Sequence, residues 1–305
     1  MSDQIKGVLS PVITPFREDG SVDLPQFTAQ CKWLQSNQIG LAFLGTNSEA
    51  NSISPDERME MIDAVIQAGL DPNGMMPGTG GCDLPTTVRL TRHAVNQGCA
   101  GVLMLPPFYY KGVSDEGLFR YFSEVIQKVA SDRLKIYLYH IPPVAQVGIT
   151  LPLIERLLAA YPTVVAGVKD SSGDWKNTQA MLEQFGSAGF DVFAGSETFL
   201  LQTLRGGGAG CISATANVNA PAIHELYKTW QEPDADSKQQ GLDKIRNIFQ
   251  SFPMIPALKS AIAHWSSHDS WKRVRPPLVE LSEKQHRDLI QQLEAAGFSI
   301  SGLTK

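Results

Sequence analysis

VVAGVKDSS, Val164–Ser172, holds an apolar stretch with no polar alternation before it reaches Lys169. Alternation marks a strand with one wet face. Its absence marks a strand covered on both faces, as in a parallel sheet clad by helices. The run ends in a lysine, and strand ends are buried places. An ammonium is costly to bury unless something uses it.

Similar runs recur on either side. They are GVLSPVITPF (Gly7–Phe16), GLAFLGT (Gly40–Thr46), GMMPGTG (Gly74–Gly80), GVLMLPP (Gly101–Pro107), KIYLYHIP (Lys135–Pro142), DVFAGSE (Asp191–Glu197) and AGCISATAN (Ala209–Asn217), making eight with the first. Helical spacing fills the gaps: Leu24–Leu34, Pro55–Ala68, Thr86–Asn96, Glu116–Ala130, Pro152–Ala160 and Thr178–Phe185. Ser54-Pro55 supplies an N-cap and a first-turn proline, and Asp56 and Glu57 suit the positive helix end. Eight strand–helix units predict an α/β fold, the (β/α)8 TIM barrel. An open doubly wound sheet usually needs fewer units, and the first strand lacks a G-x-G-x-x-G turn.

Strand signals stop after Asn217. Helical patterns at Ala220–Trp230, Ala235–Gln250, Pro256–Trp265 and Glu283–Ala296 fill the remainder. This predicts a barrel over residues 1–230 and a small C-terminal helical extension over 231–305 packed on it. Gln231–Ser237 is the most loop-like stretch.

Composition narrows the function classes. The 305 residues are 43% hydrophobic, enough for a large core, and the formal charge is −5. No Lys/Arg block suggests a nucleic-acid face. No apolar run approaches the roughly 20 residues of a membrane span. The N-terminus MSDQIKG has no apolar signal segment. Cys31, Cys82, Cys99 and Cys211 are scattered without a C-x-x-C pair, which fits a reduced, cytoplasmic protein. His264 and His268 are four apart on a predicted helix but lack a visible third ligand, so no metal site is expected. The Gly206–Gly210 run lacks the lysine of a phosphate loop and precedes a strand.

A barrel places function at the C-terminal ends of its strands. Those ends carry a polar, hydroxyl-rich ring with one lysine, Lys169. Its bland reading is a structural ion pair with Asp170 or Glu197. Its chemical reading is a desolvated amine of lowered pKa that attacks a ketone and forms a Schiff base. Tyr139 sits one strand away at matching depth and can relay protons; alone it would read as a packed ring with a wet hydroxyl. Gly45-Thr46-Asn47 is a strand-end turn whose amides suit a carboxylate, or an ordinary βα turn.

These residues occur in G-T-x-x-E (Gly45–Glu49), P-x-Y-Y (Pro107–Tyr110), Y-x-x-P (Tyr139–Pro142), G-V-K-D (Gly167–Asp170) and I-S-A-T-A-N (Ile212–Asn217). In combination they resemble the dihydrodipicolinate synthase/N-acetylneuraminate lyase family of pyruvate-dependent class I aldolases, over nearly the whole chain. The resemblance implies that Lys169 is the Schiff-base lysine, Tyr139 the catalytic tyrosine and Thr46 part of the proton relay. It implies that the backbone of Thr46 and Asn47 holds the pyruvate carboxylate, and that Gly195 and Ile212 line the pocket. It also implies a homotetramer, a dimer of dimers, in which Tyr109 or Tyr110 reaches a neighbouring site, and it calls for no cofactor.

Departures bear on the second substrate, an aldehyde. Asn47 stands where the synthases carry a second threonine, and it cannot pass a proton as a hydroxyl does. Val144 stands where they carry an arginine, and it cannot clamp a carboxylate. Asp170 departs from the G-I-K-F of the sialic acid lyases. The pattern looks nearest the 4-hydroxy-2-oxoglutarate and sugar-acid aldolases. His140, in the usual asparagine position, either touches the second substrate or packs the loop. The alternatives are a keto-deoxy sugar-acid dehydratase on the same scaffold, dihydrodipicolinate synthase proper, or a non-catalytic 2-oxo-acid-binding protein.

Overall fold

The structure is a computed structural model that describes residues 4–303. Seven strands form one sheet: β1 (Gly7–Ser10), β2 (Gly40–Leu41), β3 (Val102–Met104), β4 (Ile136–His140), β5 (Val165–Asp170), β6 (Asp191–Ala194) and β7 (Gly210–Ile212). Every pairing is parallel, in the order β2-β1-β7-β6-β5-β4-β3.

The remaining run, Gly74–Gly80, is not the regular strand expected. It joins the two edges of the sheet through single bridges, Met75 to Leu41 and Gly78 to Leu103. The Met76 amide donates to the Leu41 carbonyl at 2.8 Å, and the Thr79 amide to the Leu103 carbonyl at 3.0 Å. The barrel closes through this stave. Its irregularity has a local cause. Pro77 has no N–H to give a ladder, and a Cβ on Gly78 would lie 2.1 Å from the Leu44 carbonyl oxygen.

Helices follow the strands on the outside: Leu24–Ser36, Pro55–Gln67, Leu84–Asn96, Asp115–Val129, Leu151–Ala160, Trp175–Phe185, Leu200–Arg205 and Ala220–Thr229. The expected start at Ser54 is a full capping box, with the Ser54 hydroxyl accepting from the Glu57 amide and the Glu57 carboxylate accepting from the Ser54 amide. Asp115–Val129 turns Leu118, Phe122, Val125, Ile126 and Val129 inward, the i, i+4, i+7 spacing of a buried stripe. Leu200–Arg205 and the one-turn helix Pro142–Ala145 were not anticipated; six and four residues are too few to display a period.

Strand alternation sorts the apolar side chains into two cores. Leu9, Met76, Leu103, Tyr137, Tyr139, Phe193 and Ile212 fill the barrel interior. Ile136, Leu138, Val168 and Val192 face the helices and belong to the larger core between wall and helices.

The C-terminal segment contributes helices Ala235–Gln250, Met254–Ser266 and Glu283–Ala295. The first has the bounds expected for it, and its first turn takes up the end of the loop-like stretch Gln231–Ser237. It packs on Leu200–Arg205 and on the turn after β6, which brings it to the end of the barrel where the strands finish. His268 lies beyond the end of Met254–Ser266, so His264 and His268 do not share a helix face.

Candidate active site

β4 and β5 run in register, with Tyr139 opposite Lys169 and His140 opposite Asp170. Lys169 is 2% exposed, and its Nζ donates to Tyr139 Oη at 3.3 Å. Tyr139 Oη lies 3.3 Å from Thr46 Oγ1, and either hydroxyl can donate. The three groups form a continuous chain from amine to phenol to hydroxyl. Both contacts are at the long end of hydrogen bonding, as catalytic contacts often are before substrate binds.

Neither carboxylate considered as an ion partner pairs with Lys169. Asp170 accepts from the Ser172 amide at 2.9 Å, Asn177 Nδ2 at 3.0 Å and Thr178 Oγ1 at 2.7 Å, and so fastens the turn after β5 to the next helix. Glu197 accepts from Ser213, from Thr215 and from Arg246 Nη1, the last at 3.2 Å. The buried amine is left to the phenol.

Thr46 and Asn47 lie in a tight turn at the end of β2. Within it the Ser48 and Ala50 amides both donate to the Gly45 carbonyl, each at 3.2 Å. Among the described residues, the amides of Thr46 and Asn47 find no partner. They lie at the cleft, where a carboxylate can take them.

The cleft holds about 490 Å3. Thr46, Tyr139, Lys169 and Gly195 line it, and Val144, 60% exposed, stands at its rim. Gly195 is forced by space. A Cβ there would lie 2.1 Å from Ser171 Oγ and 2.8 Å from the Asp170 carbonyl oxygen. The C-terminal helix Ala235–Gln250 also lines the cleft, through Arg246, Asn247 and Gln250. Arg246 went unnoticed in the sequence. It lies in no strand-end motif, and only its position in the helical spacing could have pointed to it. It is 9% exposed and also donates to Ser213 Oγ at 3.2 Å.

Other candidates lie elsewhere. Ile212 is fully buried in the barrel interior, opposite Leu9 in the register, and does not border the cleft. His140 Nδ1 accepts from the Ile149 amide at 2.9 Å, which packs the loop after β4, and its side chain is not on the cleft wall. Burial holds its imidazole below the usual histidine pKa despite nearby Asp170. Tyr109 and Tyr110 are 74% and 71% exposed, edge to face at 5.3 Å, outside this cleft. Among the described residues no His, Cys, Asp or Glu cluster has the arrangement of a metal site. No helix among them is long and apolar enough to cross a membrane.

A buried lysine at a barrel strand end, hydrogen-bonded to a tyrosine and sharing a cleft with a turn whose amides are free, fits a Schiff-base lyase site. The chain belongs to the dihydrodipicolinate synthetase family, whose family model matches residues 4–296. It is 31% identical over 283 residues to an uncharacterized DapA-like lyase of Chloroflexus aurantiacus, covering 92% of this chain and 93% of that protein. It is 30% identical over 297 residues to the putative 2-dehydro-3-deoxy-D-gluconate aldolase YagE of Escherichia coli, covering 94% and 97%. The structure superposes on crystalline dihydrodipicolinate synthase from Agrobacterium tumefaciens with a TM-score of 0.88 at 31% identity, covering 96% and 99%.

Proposed function

We propose that this protein cleaves or forms a 2-oxo-4-hydroxy acid through a Schiff base on Lys169, with pyruvate as one partner and an aldehyde as the other. The observation that carries this reading is the Lys169–Tyr139 hydrogen bond between register partners, with both nearby carboxylates engaged elsewhere.

In the cleavage direction the Lys169 nitrogen attacks the C2 ketone and a carbinolamine forms. Tyr139 gives a proton to the departing hydroxyl, and water leaves. The protonated imine accepts the electron pair of the C3–C4 bond as that bond breaks. The 4-hydroxyl proton passes to the Tyr139 oxygen, with Thr46 as the next link, and the aldehyde departs. The enamine takes that proton back from Tyr139 at C3, and one water then hydrolyses the imine, releasing pyruvate and the free Lys169 amine. The free amides of Thr46 and Asn47 hold the carboxylate throughout.

The polar part of the lining supports the aldolase branch. Ser196, Thr198, Arg246, Asn247 and Gln250 border the cleft. This polar set suits an aldehyde that carries hydroxyls or a carboxylate. Apolar Val144 at the rim offers no bidentate clamp of the synthase kind. YagE is named as a putative aldolase, and its crystal structure, at TM-score 0.88 and 28% identity, was solved with pyruvate.

The exposed Tyr109–Tyr110 pair supports a homotetramer in which one protomer's tyrosine completes the neighbour's site. Four free cysteines, three of them buried, support a cytoplasmic location. The domain reading is a barrel to residue 230 with the extension completing the cleft wall.

A panel of 2-oxo-4-hydroxy acids, assayed for pyruvate and for the intact carbon skeleton, tests the function. Free pyruvate with an aldehyde supports the lyase. Loss of water with the skeleton intact makes the protein a dehydratase, and no turnover of any member sinks both.

A further inference from the structure

Lys259 and Glu49 form an ion pair in which both side chains are 0% exposed. Lys259 lies on the C-terminal helix Met254–Ser266, and Glu49 closes the turn that carries Thr46 and Asn47. Glu49 has φ of +58°, a left-handed conformation that costs a non-glycine residue free energy and persists only where its surroundings hold it. Its surroundings are specific. The Lys259 ammonium takes one carboxylate oxygen and the Arg275 amide donates to the other at 2.9 Å. Lys259 also donates to the Arg273 carbonyl at 2.6 Å. From the barrel side, Thr14 Oγ1 donates to the Ser48 carbonyl at 2.8 Å. The turn is therefore gripped from both sides, and its Thr46 and Asn47 amides are left pointing to no protein acceptor.

A buried ion pair is a poor way to gain stability, because desolvation offsets much of its attraction. It is a good way to allow only one geometry. We propose that the Lys259–Glu49 pair positions the 45–49 turn so that its free amides meet the pyruvate carboxylate, making both positioning residues; this rests on the reading of the turn given above. The C-terminal extension then serves two purposes. Arg246 closes the cleft wall, and Lys259 sets the carboxylate site from behind.

The charges around Lys259 are Glu49 and Glu280, which favour its ammonium, and Arg275, which opposes it; the Phe16 ring lies 4.4 Å from Nζ. Burial outweighs the two carboxylates and brings its pKa down to about 8.

The test uses the full chain and borohydride trapping at Lys169, with pyruvate and with acetone, a ketone that lacks the carboxylate. Trapping of the unmodified protein by pyruvate checks the Schiff-base reading by itself; its failure overturns that reading and this proposal together. The variants are Glu49→Gln, which keeps an acceptor for the Arg275 amide, and Glu49→Gln with Lys259→Met, which leaves no uncompensated buried charge. In either, half-saturation by pyruvate should rise roughly ten- to hundredfold, the range for weakened charge-assisted hydrogen bonds. Acetone trapping should stay within about twofold of the unmodified protein. Unchanged pyruvate half-saturation in a folded variant overturns the proposal, and so does an equal loss with both ketones, which marks a general structural role. If neither variant folds, the unmodified protein decides. Its preference for pyruvate over acetone should fall as pH rises through about 8, and a flat ratio overturns the proposal.

Discussion

Tyr139 and Lys169 meet because they are register partners in the β4–β5 ladder. The 3.3 Å between Nζ and Oη is set by backbone pairing and not by a flexible loop. Rigid strands at this point hold the amine and the phenol together before any substrate arrives, and a proton relay between them, as proposed, would need little reorganisation.

Borohydride with pyruvate should attach a reduced adduct to Lys169, read as a mass shift on the peptide containing Val164–Ser172. The same lysine has no ion partner to lose. Lys169→Met should therefore abolish the adduct while leaving the melting temperature equal or higher, since it replaces a buried polar group that has no ion partner with an apolar side chain of similar length. An adduct on another lysine, or a clear drop in melting temperature, would contradict these expectations.

Tyr139→Phe keeps a ring in the barrel interior and removes the hydroxyl link between Lys169 and Thr46. Turnover should fall roughly 100- to 10,000-fold, the usual contribution of general acid–base assistance. Pyruvate affinity measured by calorimetry should change little, because the proposed carboxylate contacts are the turn amides and not the Tyr139 hydroxyl. Thr46→Val should cost less when added to Tyr139→Phe than alone, if the hydroxyls act as one relay. Near-normal turnover of Tyr139→Phe rules the relay out.

Gly195→Ala tests the space at the cleft. The new Cβ would fall 2.8 Å from the Asp170 carbonyl oxygen and from Ser171 Cα, both backbone atoms that cannot swing aside. A loss of about 1–3 kcal/mol is expected from overpacking. Because Asp170 and Ser171 follow Lys169 directly, pyruvate trapping should weaken as well. Adding Ser171→Ala should not restore either property. Full recovery in that double variant would locate the conflict at the Ser171 hydroxyl alone.

Asp191 predicts a pH effect at the other end of the barrel. Burial raises its carboxyl to about 6, with Lys6 and Tyr137 opposing. A raised folded pKa means that the folded state holds the proton more tightly than the unfolded chain does. The contribution is full below about 4, declines as pH rises, and is lost above about 6. Asp191→Asn should then be neutral to stability near pH 4 and stabilising by about 2–3 kcal/mol at pH 7.5. Chemical denaturation at the two pH values checks this; equal differences at both would show that folding does not raise the Asp191 carboxyl.

Much of this was readable before folding. Unalternating apolar runs marked all eight staves, seven of which are regular strands, because burial on both faces leaves a local trace. Strand parity set Tyr139 and Lys169 together, since neighbouring parallel strands of equal depth bring alike positions side by side. The eighth run, Gly74–Gly80, was legible as a stave, but its irregularity was not: it meets both edges of the sheet through single bridges, and propensity does not show how closely a backbone approaches at Gly78. Ile212 shares strand β7 with its motif but lies deeper than the cleft, opposite Leu9, and depth along a barrel axis depends on the register of all the strands.

The charged residues divide most sharply between sequence and fold. By itself the sequence placed one lysine at a strand end and a turn beside it. It could not say which carboxylates were free to pair, and tertiary contacts gave Asp170 to Thr178 and Glu197 to Arg246. Nor could it say that Glu49 would meet Lys259, far along the chain on a helix outside the barrel. Apolar burial follows a period that neighbouring residues reveal. Burial of a charge depends on a partner, and the partner is brought in by the fold of the whole chain.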